Sequence, residues 1–429
     1  MKNVEELRRY VQVRAGAVPE SEATHILSRA TRTWQQHPGR WQRPQTVLAV
    51  GLALATIASI GLVQIWAIQH HVAAPKIVPT IVAPHTFKAP EGIAIGADGS
   101  VYVSDYSGQR VFRLQKNGSL SVVAGTGVFA EGGDGGPATK ADLQGPTGMV
   151  FDRSGNLYVA DTWADRVRRI DPSRIIATIA GSGPTTPERA GYHRTATAGG
   201  GAYSNPDPNQ GFSGDGGPAT AARFYAPLGL AFDSHGTLYV ADSFNGRVRP
   251  ISPDGTVTSL DASSLPAPMW LPRYLAFDAS GNLYVADGAP NALMANLIGG
   301  CRIVRVSPAG VITVVAGTGT CGFSGDGGPA AAAQLNNPSG LAFDSAGNLY
   351  VADSNNERIR RIDRSGNIST VAGTGTPGFS GDGGPGINAK LYDPYGIGIV
   401  GDNLYIAEGG GRRVRLLHLA SGIIATAAS

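Results

Sequence analysis

Residues 337–375 read NPSGLAFDSAGNLYVADSNNERIRRIDRSGNISTVAGTG. Four β-rich runs stand in it (GLAFD, NLYVAD, RIRRID and ISTVAG), separated by turn pairs such as Ala346-Gly347 and Ser365-Gly366. Short alternating runs with glycine turns between them spell antiparallel hairpins. The same sentence recurs, opening at Pro90, Pro146, Pro227, Pro272, Pro338 and Pro394. One such unit cannot bury both its faces alone, but six set around an axis can. The pattern predicts an all-β, six-bladed β-propeller of four-stranded blades over 89–429.

These residues resemble the NHL repeat family, and the resemblance runs over roughly 90–429. It implies the propeller fold and little about activity, because similar propellers serve as RNA readers, kinase sensor domains, adhesion modules and metal-dependent lyases.

Composition fits many short strands and tight turns. Glycine is 60 of 429 residues while hydrophobic residues remain 42%, which is not the balance of a disordered chain. Two cysteines exclude a disulfide framework and a four-cysteine zinc site. Eight of the 35 Lys/Arg but only four of the 32 Asp/Glu fall in 1–45, leaving 27 basic against 28 acidic residues beyond. A neutral bulk speaks against nucleic acid as a partner.

The stretch Thr46–Ile68 carries no charge over 23 residues, enough for a helix to cross a bilayer. Arg40 and Arg43 precede it, and Trp41 and Trp66 lie near its ends. The expectation is an uncleaved transmembrane helix with a cytoplasmic N-terminus and the propeller outside. A cleaved signal peptide is the rival, disfavoured by the long polar leader and by Pro75. Residues 1–45 read as a short helical cytoplasmic tail, and 69–88 as a linker or closing strand.

A glycine phrase recurs between blades: EGGDGGPA at 131–138, GFSGDGGPA at 211–219 and 322–330, and GFSGDGGP at 378–385. Gly317-x-Gly319-x-x-Gly322 and Gly373-x-Gly375-x-x-Gly378 match a dinucleotide fingerprint in letters only, since no helix follows in time. Calcium needs several carboxylates, and each phrase brings one: Asp134, Asp215, Asp326 or Asp382. The first copy, with Glu131 and Asp142 nearby, is the one plausible exception. The structural reading makes the phrase a blade-to-blade connector. Its glycines supply positive-φ turns, its proline opens a short helical turn, and its aspartate caps that turn. No cofactor or metal is called for.

Each blade ends its second strand on an acid, with an arginine five residues later: Asp105/Arg110, Asp161/Arg166, Asp242/Arg247, Asp353/Arg358 and Glu408/Arg413. In blade four the partner of Asp287 is delayed to Arg302. Repetition in every blade points to bracing of the turn by charge-assisted hydrogen bonds, not catalysis.

Irregular loops gather at the end shared by the second-to-third loops and the blade connectors, where 184–210 and 288–301 are enlarged. Binding concentrates on such loops. Tyr106, Trp163, Phe244 and Trp270 fall there, and Glu91 and Arg273 follow opening prolines of opposite blades, at the channel mouth. These six are the candidate ligand-binding residues. The function expected is a ligand- or protein-binding module (sensor, adhesion or scaffold) for a protein, peptide or glycan. The alternative is an extracytoplasmic lyase or lactonase at the mouth using Glu91 and Arg273. Lyases of similar fold project histidines into the channel, and no histidine here holds a mouth position. Cys301 and Cys321 flank one hairpin at the same end and are expected to pair. Residues 421–429 are favoured over 76–84 as the strand completing the last blade.

Overall fold

The computed structural model describes residues 86–115, 117–183, 211–261, 268–288 and 300–429, all within a compact unit spanning Ile77–Ser429. The tail, the 46–68 stretch, the rival strand 76–84, the loop 184–210 and most of the blade-four insertion lie outside the described residues. Among those described, no helix is long and apolar enough to cross a membrane.

Six antiparallel sheets follow one another, each built from strands in chain order. Their first strands open where the repeat predicts: Pro90–Ile95, Pro146–Phe151, Pro227–Phe232, Leu271–Phe277, Pro338–Phe343 and Pro394–Val400. Each packs on its neighbour, and the sixth packs on the first, so the ring is closed through its inner strands. Ile423–Ala428 completes blade six against Arg413–His418, so the C-terminal residues fill the outermost position as expected. Blade three departs from the plan. Its sheet holds three strands, and the fourth is reduced to a bridge between Ile251 and Val257.

Core residues lie between consecutive blades. One cluster joins Ala94, Val111 and Ala124 of blade one to Met149, Leu157 and Val159 of blade two. The tyrosine of the NLYVAD run meets the phenylalanine of the next blade's first strand edge-on, as in Tyr102–Phe151 (4.9 Å) and Tyr284–Phe343 (4.9 Å). Edge-to-face pairs of this kind add stabilisation beyond their buried area.

The glycine phrase is a connector, and more than that. After its glycines come 3-10 turns at Ala138–Lys140, Ala219–Ala221, Ala330–Ala332 and Gly386–Asn388, each preceded by the phrase proline. The aspartate does not cap these turns, which have no side-chain cap. It reaches a third-strand arginine of the next blade instead: Asp134 to Arg168, Asp215 to Arg249, Asp326 to Arg360 and Asp382 to Arg415, at 2.6–2.8 Å. Glycine is required at Gly325, where φ is +88° and a Cβ would press on Ala333.

The brace on the second-strand acid is likewise corrected. In four blades the acid faces the arginine seven residues on, Asp161–Arg168 (3.1 Å), Asp242–Arg249 (3.6 Å), Asp353–Arg360 (3.0 Å) and Glu408–Arg415 (3.7 Å), and only in blade six does the arginine five on also pair, Arg413 with Glu408 at 3.9 Å. The residue five on is its direct register partner. The residue two further along the same face is the one placed under the connector, between both acids. The displaced arginines stack on the phrase phenylalanine, Arg247 on Phe212 (4.1 Å), Arg358 on Phe323 (3.8 Å) and Arg413 on Phe379 (3.7 Å). Where the phrase has Glu131 in place of phenylalanine, Arg166 pairs with that carboxylate at 2.7 Å. In blade four Asp287 and Arg302 do pair, at 3.1 Å. In blade one Asp105 accepts from the amides of Lys88, Ala89 and Gly108, and Arg110 donates to the Thr126 carbonyl.

Candidate functional site at the propeller mouth

The third residue counted from each opening proline sits closest to its neighbour. In five blades it is glycine, and a Cβ on Gly92, Gly148, Gly229, Gly340 or Gly396 would collide with the next strand's backbone. Blade four has Tyr274 there. Its hydroxyl donates to the Glu91 carbonyl of blade one at 2.9 Å, across the ring. Burial, and then the charge of Glu91, raise the Tyr274 phenol above its usual range, so it stays a donor. One tyrosine thus spans the axis below the mouth.

Above it lies a small depression of about 20 Å³, lined by Glu91, Tyr106, Trp163, Leu228, Phe244 and Arg273 among others. Five of the six residues singled out from sequence therefore line one concavity. Trp270 does not line it. Its backbone amide donates to Asp287, and its indole nitrogen is buried without a hydrogen-bond partner.

The aromatic side chains form a row. The Trp163 indole N–H donates to the Tyr106 hydroxyl, Trp163 meets Phe244 edge-on at 6.3 Å, and Phe244 meets Tyr225 at 5.0 Å. Tyr225 escaped the sequence reading because it lies in a connector, outside the repeated frame. Trp163 and Phe244 are held by 3-10 turns, Thr162–Ala164 and Ser243–Asn245, that follow the second strands. Their backbone amides donate to the Gln144 and Tyr225 carbonyls, which fixes both rings on the rim. Opposite the row, Arg273 is buried, donates to Asn337 Oδ1 at 2.5 Å and stacks on Tyr395 at 5.1 Å. The mouth therefore offers half-buried aromatic faces on one side and fixed charge on the other.

A latch joins neighbouring blades at this rim. The Gln109 side chain accepts from the Gly145 amide (2.6 Å), Asp165 from Ala226 (2.8 Å) and Glu357 from Asp393 (2.6 Å). In blade four the place is taken by Cys301, bonded to Cys321 with 5.2 Å between their Cα atoms. The Asn337 amide approaches its Sγ at 3.5 Å. The disulfide thus ties blade four to the next connector. His235 sits in an exposed turn at the opposite end, within its own hairpin.

The carboxylates that calcium would need are otherwise engaged: Glu131 with Arg166, Asp134 with Arg168, and Asp142 with Thr126. Among the described residues no three acids, histidines or cysteines converge as metal ligands. Burial pushes Asp161, Asp287 and Asp353 up to about 6, Asp242 up to about 7 and Glu408 up to about 8, against the arginines and backbone amides that pull them down. These groups lie in the braces, and none of them lines the depression.

Six blades closed through their inner strands, each carrying the repeat quoted above, make this an NHL-repeat β-propeller. A family model, the Teneurin NHL domain, matches residues 209–379. Teneurin-1 of Mus musculus is 30% identical over 304 residues, covering 62% of this chain and 10% of that protein, so the match is to a small part of a much longer relative. An auxiliary nutrient binding protein from Bacteroides thetaiotaomicron superposes with a TM-score of 0.52 at 14% identity, over 80% of this chain and 70% of that one. A streptogramin B lyase aligns at a TM-score of 0.47 and 13% identity, over 82% and 86%. The Bacteroides likeness supports the fold alone.

Proposed function

We propose that this chain is a binding propeller, anchored by Thr46–Ile68 with its N-terminus in the cytoplasm, that presents the mouth depression outside the membrane to a protein, peptide or glycan. One observation carries the reading. Glu91, Tyr106, Trp163, Phe244 and Arg273, from four different blades, line a single small concavity on a rigid ring. Aromatic rings and a buried arginine at the centre of a concave surface are the usual anchors of recognition. The Cys301–Cys321 bond supports an oxidising location. A glycan and peptide array probed with the purified chain tests the binding role. Hits should weaken at least tenfold with Trp163→Ala or Phe244→Ala, and hits indifferent to both would refute the site.

An enzyme working at the same mouth is the competing reading, favoured by Glu91 and Arg273 meeting there. Metal analysis of the purified chain separates the two, since the related lyases depend on a metal. The orientation is tested by protease added outside intact cells. Cleavage within 184–210 with 1–45 spared supports it, and protection of 184–210 refutes it.

A further inference from the structure

Four blades end on an edge that is already occupied. In blade five the Gly327 amide donates to the Ile368 carbonyl at 2.8 Å, and the Ile368 amide donates to the Gly328 carbonyl at 2.9 Å. Blades two, three and six repeat this reciprocal pair at Ile176, Val257 and Ile424. Each time an extended piece of the glycine phrase lies antiparallel on the outermost strand. A strand edge without such cover presents N–H and C=O groups ready to template another chain.

Blade four keeps the strand and lacks the cover. Ile312 pairs with Val306 in the register by which Ile368 pairs with Ile362, so its amide and carbonyl point away from the sheet in the same manner. Among the described residues, no hydrogen bond reaches that outward side of Ile312. Val311 beside it is 59% exposed. The connector leading into this blade is also short. Asp261 and Pro272 stand 11 positions apart, against 22 from Ala372 to Pro394, and the glycine phrase is missing between them.

The side chains beneath have changed to match. Under the phrase aspartate, covered blades place cross-strand pairs such as Arg360–Thr370 and Arg415–Thr426, and both threonine hydroxyls donate to that aspartate. The same register in blade four holds Val304 and Val314. Val304 is already fully buried in a core cluster with Met269, so an incoming side chain meets the partly buried Val314, where an aspartate would find no partner and an apolar group would.

We propose that the outer edge of blade four, Val311–Val315, is a strand-addition site for an extended peptide segment of a partner protein. The segment runs antiparallel to the edge, has glycine where it crosses Ile312, and carries an apolar residue where the phrase has aspartate. Main-chain bonds supply the affinity in this mode of recognition, and Val314 supplies the choice of side chain.

The test uses the full chain and a labelled nonapeptide of residues 322–330 carrying D326V. Without peptide, the Ile312 amide should exchange with deuterium at least tenfold faster than those of Ile368 and Ile424. Adding the peptide should slow Ile312 at least threefold. The unmodified nonapeptide, with its aspartate, should bind at least fivefold more weakly. Ile312→Pro removes the outward amide at an edge, where proline is tolerated, and should weaken binding at least tenfold. An Ile312 amide already as slow as Ile368 would mean that this chain or a second copy covers the edge, and would overturn the proposal. So would peptide binding that never slows Ile312, or no binding of the nonapeptide at all.

Discussion

Arg360→Met is the sharpest test of how the blades are braced. Arg360 is fully buried and bonds Asp353 at 3.0 Å, Asp326 at 2.8 Å and the Ser324 carbonyl at 3.1 Å. Methionine keeps much of the side-chain volume but leaves Asp353, which is also fully buried, without its cation and with only the Asn336 amide and the Asn356 side chain as donors. Removing one partner of a buried ion pair costs about 3–5 kcal/mol, mostly for the charge left behind. A propeller of roughly 340 residues unfolding cooperatively has a melting entropy of about 0.7 kcal/mol/K, so the loss corresponds to about 4–7 °C in Tm. The deficit should depend on pH. With Arg360 present, burial already lifts Asp353 to about 6, and losing the cation lifts it further, so at pH 5 the stranded acid is neutral and costs less. Thermal melts by circular dichroism at pH 7.5 and pH 5 read both effects, with the exposed Arg364→Met as a control expected within ~1 °C of the parent. A Tm loss under ~1 °C at pH 7.5, or one of equal size at both pH values, would refute the brace.

The parent chain should itself be more stable at pH 5 than at pH 8. Asp161, Asp242, Asp353 and Glu408 have raised folded-state values. The folded chain therefore holds protons that the unfolded chain has released, and stability falls as pH climbs from about 4 through those values. Below pH 4 the trend reverses, because Asp98, Asp134 and Asp344 are held below their ordinary value by hydrogen bonds or arginines and must protonate. A Tm that rose steadily from pH 5 to pH 8 would contradict this. Reducing Cys301–Cys321, which closes a loop of 20 residues, should cost about 3 kcal/mol on the chain-entropy account, read as a Tm drop of ~4 °C in reductant. Two alkylatable thiols in the native oxidised protein would sink the pairing. Deleting 421–429 removes the last strand of blade six and uncovers Leu417, which is 1% exposed. Tm should fall by at least ~5 °C, and an unchanged melt would show that another segment fills that place.

Much of the fold was legible because a propeller writes its period into the chain. Opening prolines, turn glycines and the NLYVAD run place every first and second strand. The disulfide was legible for the same reason, since the period puts both cysteines at one end of a hairpin. The brace was misread because period-two alternation cannot distinguish the arginine five residues on from the one seven on. Only the connector folding over the third strand selects Arg168, Arg249, Arg360 and Arg415. The phrase aspartate was misassigned with it, since its partner lies in the following blade, 34 residues away for Asp326 and Arg360. The mouth was legible at Glu91 and Arg273 through their register. Tyr274 was overlooked although its signal stands in the sequence, a tyrosine where every other blade has glycine. Trp270 was grouped with the rim aromatics on loop position alone, which does not say where an indole turns.

Hydroxyl-radical footprinting with and without the best array hit puts the binding face most directly at stake. Trp163 and Phe244 are half-buried on the rim and His235 is exposed at the far end, so all three react in the free chain. The hit should cut oxidation of Trp163 and Phe244 at least threefold and leave His235 unchanged. Protection of His235 with Trp163 and Phe244 unaffected would put the ligand on the wrong end of the propeller and contradict the account.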